Sequence, residues 1–343
     1  MYNVLTLNKI AACGTDLLDK SKYTVTDDAA ANADAILVRS ASMHEMELPG
    51  NLLAIARAGA GVNNIPIDKC TEKGVVVFNT PGANANAVKE LVIAGLLLSS
   101  RKIPAAMDWI KTLKGKGDEV GKLVEKGKSQ FVGPEIMGKK LGVIGLGAIG
   151  ILVANAAAEL GMDVYGADPY LSVENALKLS GKVHYVKSNK EIFEKCDYIT
   201  LHVPALPDTK GMINAEAIAS MKKTVRLLNF ARDTLVDEKA IIDALANGGM
   251  ACYVTDFATD GLIGLDGVVA MPHLGASTPE SEDNCAVMAV REIVDYIENG
   301  NIRNSVNLPN VEMAISGNAK ICVIHKNAEG LLNNITCLLY TSP

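Results

Sequence analysis

Long apolar runs, paired cysteines and an excess of positive charge are all missing from this chain. Its longest apolar stretch, "LVIAGLLL" at 91–98, is far short of the roughly 20 residues that a membrane-spanning helix needs, and reads as a buried helix. The seven cysteines, at 13, 70, 196, 252, 285, 322 and 337, form no Cys-x-x-Cys pair. An odd, unpatterned set reads as reduced thiols of a cytoplasmic protein, not as a disulfide framework or a zinc site, and no metal is expected. The net charge of −6 offers no basic face to nucleic acid or to an anionic membrane. The opening "MYNVLTLNKIAACG" lacks a basic segment followed by an apolar core and a cleavage site, so no secretory leader is expected. Histidine is scarce as well, with five in 343 residues. One of them, His273, stands in "VVAMPHLGAST" (268–278) after a short apolar run and a proline, where a strand has just ended.

What is present is an ordinary globular composition, 49% apolar and 21% charged over 343 residues, long enough for two domains with cores of their own. In the first hundred residues strand-like and helix-like pieces alternate. "DAILVRS" (34–40) reads as a strand ending in Arg39 and Ser40, and "LLAIARAGAGVNNI" (52–65) as a strand or helix end running into a glycine turn. "GVVVFNTPGANANAVKELVIAGLLLSSR" reads as a strand, a turn and a helix, and the Lys/Gly-rich stretch 111–128 as an exposed, partly helical connection. From Lys140 the alternation is regular, through "KLGVI", "DVYGAD", "VHYV", "YITLHVP", "RLLNFA" and "CYVTDF", with a long amphipathic helix expected over about 278–299. Short apolar runs separated by helix-like segments imply the crossover units of a parallel, doubly wound sheet.

The segment "GLGAIG" (145–150) follows one of these strands and opens a helix, and Asp168 ends the next strand. In that setting Gly145 permits the tight turn, Gly147 lets the backbone approach a pyrophosphate, and Gly150 lets helix and strand pack closely. The helix start, with Ala148 and Ile149, faces the phosphates. Asp168 can accept hydrogen bonds from ribose hydroxyls and would repel a 2′-phosphate, and "DPY" supplies no arginine to bind one. NAD is therefore favoured over NADP. Because the motif starts so far into the chain, the nucleotide domain reads as an insertion into the other domain, with the cleft between them as the expected site.

With "LHVPALPDT" (201–209), "LLNFARDTLVDEKAI" (227–241) and "MPHLGAST" (271–278) added to the glycine turn, the chain resembles the D-isomer-specific 2-hydroxyacid dehydrogenases over about its first 310 residues. The pieces "LVRSAS", "RAGAGVNNI", "FNTPGANANAVKE" and "NSVNLPN" are most similar to the branch that acts on D-3-phosphoglycerate. The resemblance implies an α/β fold of two doubly wound parallel sheets. A Rossmann-type NAD domain, 100–276, would sit inside a flavodoxin-like substrate domain, 1–99 with 277–308. "AKICVIHKNAEGLLNNI" (319–335) resembles the start of an ACT regulatory domain, so 316–343 is expected to be a partial ACT-like segment with an atypical end.

The resemblance also implies roles. His273 is the acid/base, a task that suits an imidazole near neutrality, and Arg232 pairs with the substrate's C1 carboxylate through its planar fork. Backbone amides of Gly59, Ala60 and Gly61 hold the same carboxylate. Arg39, Ser40 and Arg57 are candidates for a 3-phosphate. Pro204, Thr209, Asn229 and Gly275 fall along the cofactor, and His202 either lines it or packs behind it. The family pattern Asp-Val-Phe-x-x-Glu-Pro is replaced by "TDFATDG" (255–261). Aligned on Phe257, Asp260 is expected to partner His273 and Asp256 to lie on the nicotinamide side. The implied activity is NAD-dependent oxidation of D-3-phosphoglycerate to 3-phosphohydroxypyruvate, the first step of serine biosynthesis, by a homodimer formed through the NAD domain. The alternatives are a reductase of hydroxypyruvate, glyoxylate or another 2-keto acid, and, in a different class, an NAD(H)-binding corepressor-like interaction protein.

Overall fold

The computed structural model describes residues 1–28, 32–317, 320–326 and 328–341. They divide into two compact units, one made of 1–83 and 282–343 and the other of 84–281.

The first unit carries β1 (Tyr2–Thr6), α1 (Ala12–Thr15), β2 (Tyr23–Thr26), β3 (Ala35–Val38), β4 (Ala54–Arg57), α2 (Ile67–Glu72) and β5 (Val76–Phe78). The strands form one parallel sheet in the order β2-β1-β3-β4-β5, a flavodoxin-like arrangement. Successive residues of these strands bury opposite faces. Val4, Ala35, Leu37, Ala56 and Phe78 pack on one side, while Leu5, Ile36, Val38, Ile55 and Val77 pack on the other. A sheet covered on both faces needs continuous apolar runs rather than alternation, which is what "AILV" and "VVVF" provide.

The second unit begins with α3 (Ala85–Arg101), α4 (Ile103–Lys111) and α5 (Val120–Gly127). Then come β6 (Lys140–Ile144), α6 (Ala148–Glu159), β7 (Asp163–Ala167), α7 (Val173–Lys178), β8 (His184–Tyr185), α8 (Asn189–Lys195) and β9 (Tyr198–Leu201). It ends with α9 (Ala215–Ala219), β10 (Arg226–Asn229), α10 (Glu238–Ala246), β11 (Cys252–Thr255) and β12 (Val268–Ala270). The sheet order is β12-β11-β10-β9-β6-β7-β8, all parallel. This is the dinucleotide-fold order extended by one strand, and its direction reverses between β6 and β9.

Helix α3, included in the first domain on sequence grounds, packs on the second sheet. Val88, Val92 and Leu96 form a stripe at helical spacing within the core that holds Leu141, Val143, Leu228 and Val254. The Oγ of Ser100 lies 2.7 Å from the Tyr198 hydroxyl, and Arg226 Nε donates to the Ser99 carbonyl at 3.0 Å.

Two further helices follow, α11 (Pro279–Asn299) and α12 (Leu331–Thr341). Within the segment that resembles the start of an ACT domain, residues 320–326 are irregular. A lone strand has no ladder to satisfy its backbone groups, and none is offered to it among the described residues. No described helix is long and apolar enough to cross a membrane.

Candidate active site

Parallel strands bring their carboxyl ends to one edge of a sheet, so residues that follow each strand become neighbours wherever they lie in the sequence. In the first unit the segments after β1, β3, β4 and β5 meet in this way. Asn8 Oδ1 accepts the backbone N–H of Arg39, Ser40 and Ala41 at 3.3, 2.9 and 2.7 Å, fixing the turn that carries two of the three phosphate candidates. The Arg39 guanidinium is paired with Glu282 at 2.7 Å. Arg57 Nε donates to the Arg39 carbonyl at 3.0 Å. Its guanidinium lies against Gly59 and Gly61, where a β-carbon would approach Arg57 Nη1 to 2.9 and 3.2 Å. Arg57 therefore borders the Gly59–Gly61 turn, and Arg39 faces a carboxylate. Asn79 Nδ2 donates to the Ala60 carbonyl at 2.6 Å, and the buried Thr80 donates its N–H to the Gly59 carbonyl at 3.2 Å.

In the second unit the glycine turn leaves β6 with Gly145 at φ 94°, a left-handed conformation that favours glycine. A side chain there would also press on the His202 carbonyl at 2.5 Å. A β-carbon on Gly150 would strike the Gly145 carbonyl, whereas one on Gly147 would meet nothing within 4 Å. Gly147 is the N-cap of α6 and offers no side-chain cap to its first amides, so open space and unpaired N–H groups coincide where an anion would lie. These residues fit the diphosphate of a dinucleotide. Asp168 follows β7, and its two oxygens accept from Leu146 N–H and Tyr170 N–H, each at 2.8 Å. Each oxygen keeps acceptor capacity for a ribose hydroxyl.

His202 continues the β9 ladder, donating its N–H to the Ile144 carbonyl at 2.7 Å. Its Nε2 lies 3.0 Å from Thr200 Oγ1, and burial pushes the imidazole down to about 3. It is a neutral ring behind the glycine turn. Thr209 Oγ1 donates to the Pro204 carbonyl at 2.6 Å and accepts from Leu206 N–H at 2.8 Å, closing the loop after β9. Asn229 is fully buried and spends its amide on the turn that presents Arg232. Its Nδ2 donates to the Arg232 carbonyl at 2.8 Å, and its Oδ1 accepts from Ala231 N–H at 3.2 Å. The Arg232 side chain itself is exposed.

β10, β11 and β12 run in register, with Asn229 beside Thr255 and Thr255 beside Ala270. The residues just beyond them, Arg232, Asp256 and His273, are therefore gathered together. The His273 ring packs edge-on against Phe257, with centroids 5.0 Å apart. Asp256 is buried at 2% exposure. Burial pushes its carboxyl up, while the His273 charge, the Gly275 amide and the Arg232 guanidinium act against the rise. Asp260 lies farther from the end of β11, exposed, with no hydrogen bond or ion pair among the described residues. Neither Asp256 oxygen makes a side-chain hydrogen bond among the described residues, and the His273 charge pulls its carboxyl down, so Asp256 stands beside Asp260 as a candidate partner of His273.

An imidazole, a buried carboxylate, an exposed guanidinium and a dinucleotide cradle on one sheet edge suit hydride transfer from a carboxylated alcohol. Residues 93–275 match the sequence model described as "D-isomer specific 2-hydroxyacid dehydrogenase, NAD binding domain". The chain belongs to the D-isomer specific 2-hydroxyacid dehydrogenases. It is 34% identical to the D-3-phosphoglycerate dehydrogenase of Bacillus subtilis, over 90% of this chain and 59% of that protein. It is 34% identical to that of Haemophilus influenzae, over 84% of this chain and 70% of the relative. Among solved structures it is similar to the NAD⁺-bound 3-phosphoglycerate dehydrogenase of Entamoeba histolytica, with a TM-score of 0.70, 28% identity, and coverage of 90% of this chain and 99% of that one. The chain spans little more than half the length of the Bacillus subtilis and Methanocaldococcus jannaschii proteins it matches.

In this member of the family two features of the site are not legible in the sequence. Asn8 anchors three backbone amides more than thirty residues away, and no local pattern marks it. Asp256 and Asp260 are both visible in the sequence, but only the position of the end of β11 makes the first buried and leaves the second exposed.

Proposed function

We propose that this chain is an NAD-dependent dehydrogenase that oxidises D-3-phosphoglycerate at C2 to 3-phosphohydroxypyruvate in the cytoplasm. The observation that supports this reading most is the grouping of His273, Asp256 and Arg232 beyond β10, β11 and β12. NAD, when bound, supplies the hydride acceptor. His273 takes the proton of the C2 hydroxyl. The Asp256 carboxylate stabilises the imidazolium that results. Arg232 grips the C1 carboxylate with two parallel hydrogen bonds and fixes the presentation of C2. Within the first unit, the Ala60 and Gly61 amides are candidates for a substrate carboxylate, and Arg57 and Arg39 for the phosphate. The 3-phosphate is supported by the names of the relatives at 34–40% identity.

The same reading makes the protein a homodimer through its NAD domain. Ile103, Met107, Ile110, Val132 and Met137 are exposed by 38–73% on and after α4, an apolar patch of the kind that marks an interface. Sedimentation of the wild type and of an Ile110→Asp variant tests this, with a monomeric wild type overturning it.

The deciding experiment is a panel of 2-hydroxy acids followed by NADH absorbance with NAD and with NADP. D-3-phosphoglycerate with NAD should give the highest kcat/KM. A preference for unphosphorylated glycerate would overturn the substrate assignment, and equal use of NADP would overturn the role given to Asp168.

A further inference from the structure

The first unit contains a carboxyl group that this chemistry does not use. Glu292 lies in the middle of α11 at 8% exposure. Its Oε1 accepts from Asn304 Nδ2 at 2.7 Å, and Oε2 has no hydrogen-bond partner. Asn304 holds a φ of 55°, in the left-handed region that asparagine visits more readily than most residues. Its backbone carbonyl accepts the N–H of Asn79 at 3.3 Å, and the following residue, Ser305, bridges to Phe78 at the end of β5. Asn79 in turn donates its side-chain amide to the Ala60 carbonyl at 2.6 Å. A chain of hydrogen bonds thus runs from α11 through Asn304 and Asn79 to the Gly59–Gly61 turn.

The rigidity of the peptide unit gives this chain a consequence. The carbonyl of one residue and the N–H of the next share a plane and point in opposite directions. Anchoring the Ala60 carbonyl on Asn79 therefore aims the Gly61 N–H the other way, and anchoring the Gly59 carbonyl on Thr80 aims the Ala60 N–H. Neither of these two amides makes a hydrogen bond among the described residues. A leucine at 292 would pack in the same space without the cost of burying a half-paired carboxyl, so packing alone does not account for Glu292.

We propose that Glu292 is a positioning residue for substrate recognition, acting through Asn304 and Asn79 to hold the Ala60 and Gly61 amides toward the substrate carboxylate. The proposal rests on the reading of that turn as a carboxylate site, and the test separates the two. KM for D-3-phosphoglycerate, kcat and the Kd of NADH are measured on the full chain for Glu292→Leu, Asn304→Gly, Glu292→Gln and Gly61→Ala. Asn304→Gly keeps the left-handed backbone and deletes only the side-chain link, so it reports even if Glu292→Leu folds poorly. Glu292→Leu and Asn304→Gly should each raise KM about fivefold to tenfold, the scale of one hydrogen bond, with kcat within about twofold and the NADH Kd unmoved. Glu292→Gln keeps an acceptor oxygen and should bring KM back to within about twofold of the wild type. A raised KM in Gly61→Ala with a native KM in both relay variants would overturn the role of Glu292 alone. A native KM in Gly61→Ala would remove the carboxylate turn and the proposal with it.

Discussion

In the proposed reaction a carboxylate stabilises the His273 imidazolium, and substitution tells which of two aspartates does so. Asp256→Asn removes the charge of the buried candidate. It should lower kcat by about tenfold or more, while Asp260→Ala should leave kcat within about twofold. A kcat lowered by Asp260→Ala and not by Asp256→Asn would favour the assignment made from the sequence. Motif spacing makes His273, Arg232 and the glycines legible, because each acts through atoms near it in the chain. It cannot separate Asp256 from Asp260, since that depends on where β11 stops being paired. Glu292 is invisible for the same kind of reason, as its environment is made by folding. Burial pushes its carboxyl up to about 8, so the folded state holds a proton that the unfolded chain releases near 4.5. Its contribution to stability is greatest below about 4.5, is lost as pH rises toward 8, and is level beyond. Glu292→Gln should therefore flatten the decline of the unfolding free energy between pH 5 and 8, by an amount on the order of a few kcal/mol, read from urea unfolding at each pH. A slope identical to that of the wild type would show that Glu292 is ionised throughout.

The turn from β6 into α6 separates folding from ligand binding within one motif. A β-carbon on Gly150 meets the Gly145 carbonyl, part of the backbone that closes the turn. Gly150→Ala should therefore displace α6 and cost both stability and NADH affinity, with a destabilisation of about 1–3 kcal/mol typical of overpacking. At Gly147 the space is open and φ is −78°, which alanine adopts without strain. Gly147→Ala should keep its Tm and weaken NADH alone, because the methyl group intrudes where the diphosphate approaches. Thermal unfolding and NADH fluorescence titration check the pair, and a loss of Tm in Gly147→Ala would show that the turn is strained for reasons other than the cofactor. The strands, the glycine turn and α11 are readable from apolar runs and punctuating residues. The apolar stretch within 320–326 is irregular, since a strand-like sequence becomes a strand only where another edge pairs with it.

At the scale of the whole chain the main difference from the sequence reading is the ownership of α3. Its position before the linker 111–128 suggests the first domain, since helices usually pack on the strand they follow. Its stripe of Val88, Val92 and Leu96 packs instead on the sheet of the second unit, and Gly95 lies so close to Phe230 that a β-carbon there would come within 3.0 Å of the ring. The energetics decide which boundary is physical. Burying each of those three side chains contributes roughly 1.5–3 kcal/mol, so together they account for about 5–9 kcal/mol. A domain's entire stability is about 5–15 kcal/mol, and a nucleotide domain cut at residue 100 would forfeit much of it. It would also lose the Ser100–Tyr198 hydrogen bond and the cap that Ser99 gives Arg226. A fragment of residues 84–281 should therefore unfold cooperatively in urea and bind NADH. A fragment of residues 100–276 should expose Leu228 and Phe230, aggregate or bind hydrophobic dyes, and fail to hold NADH. If the shorter fragment folds as well as the longer one, α3 contributes little to that core and the boundary near residue 99 is the physical one.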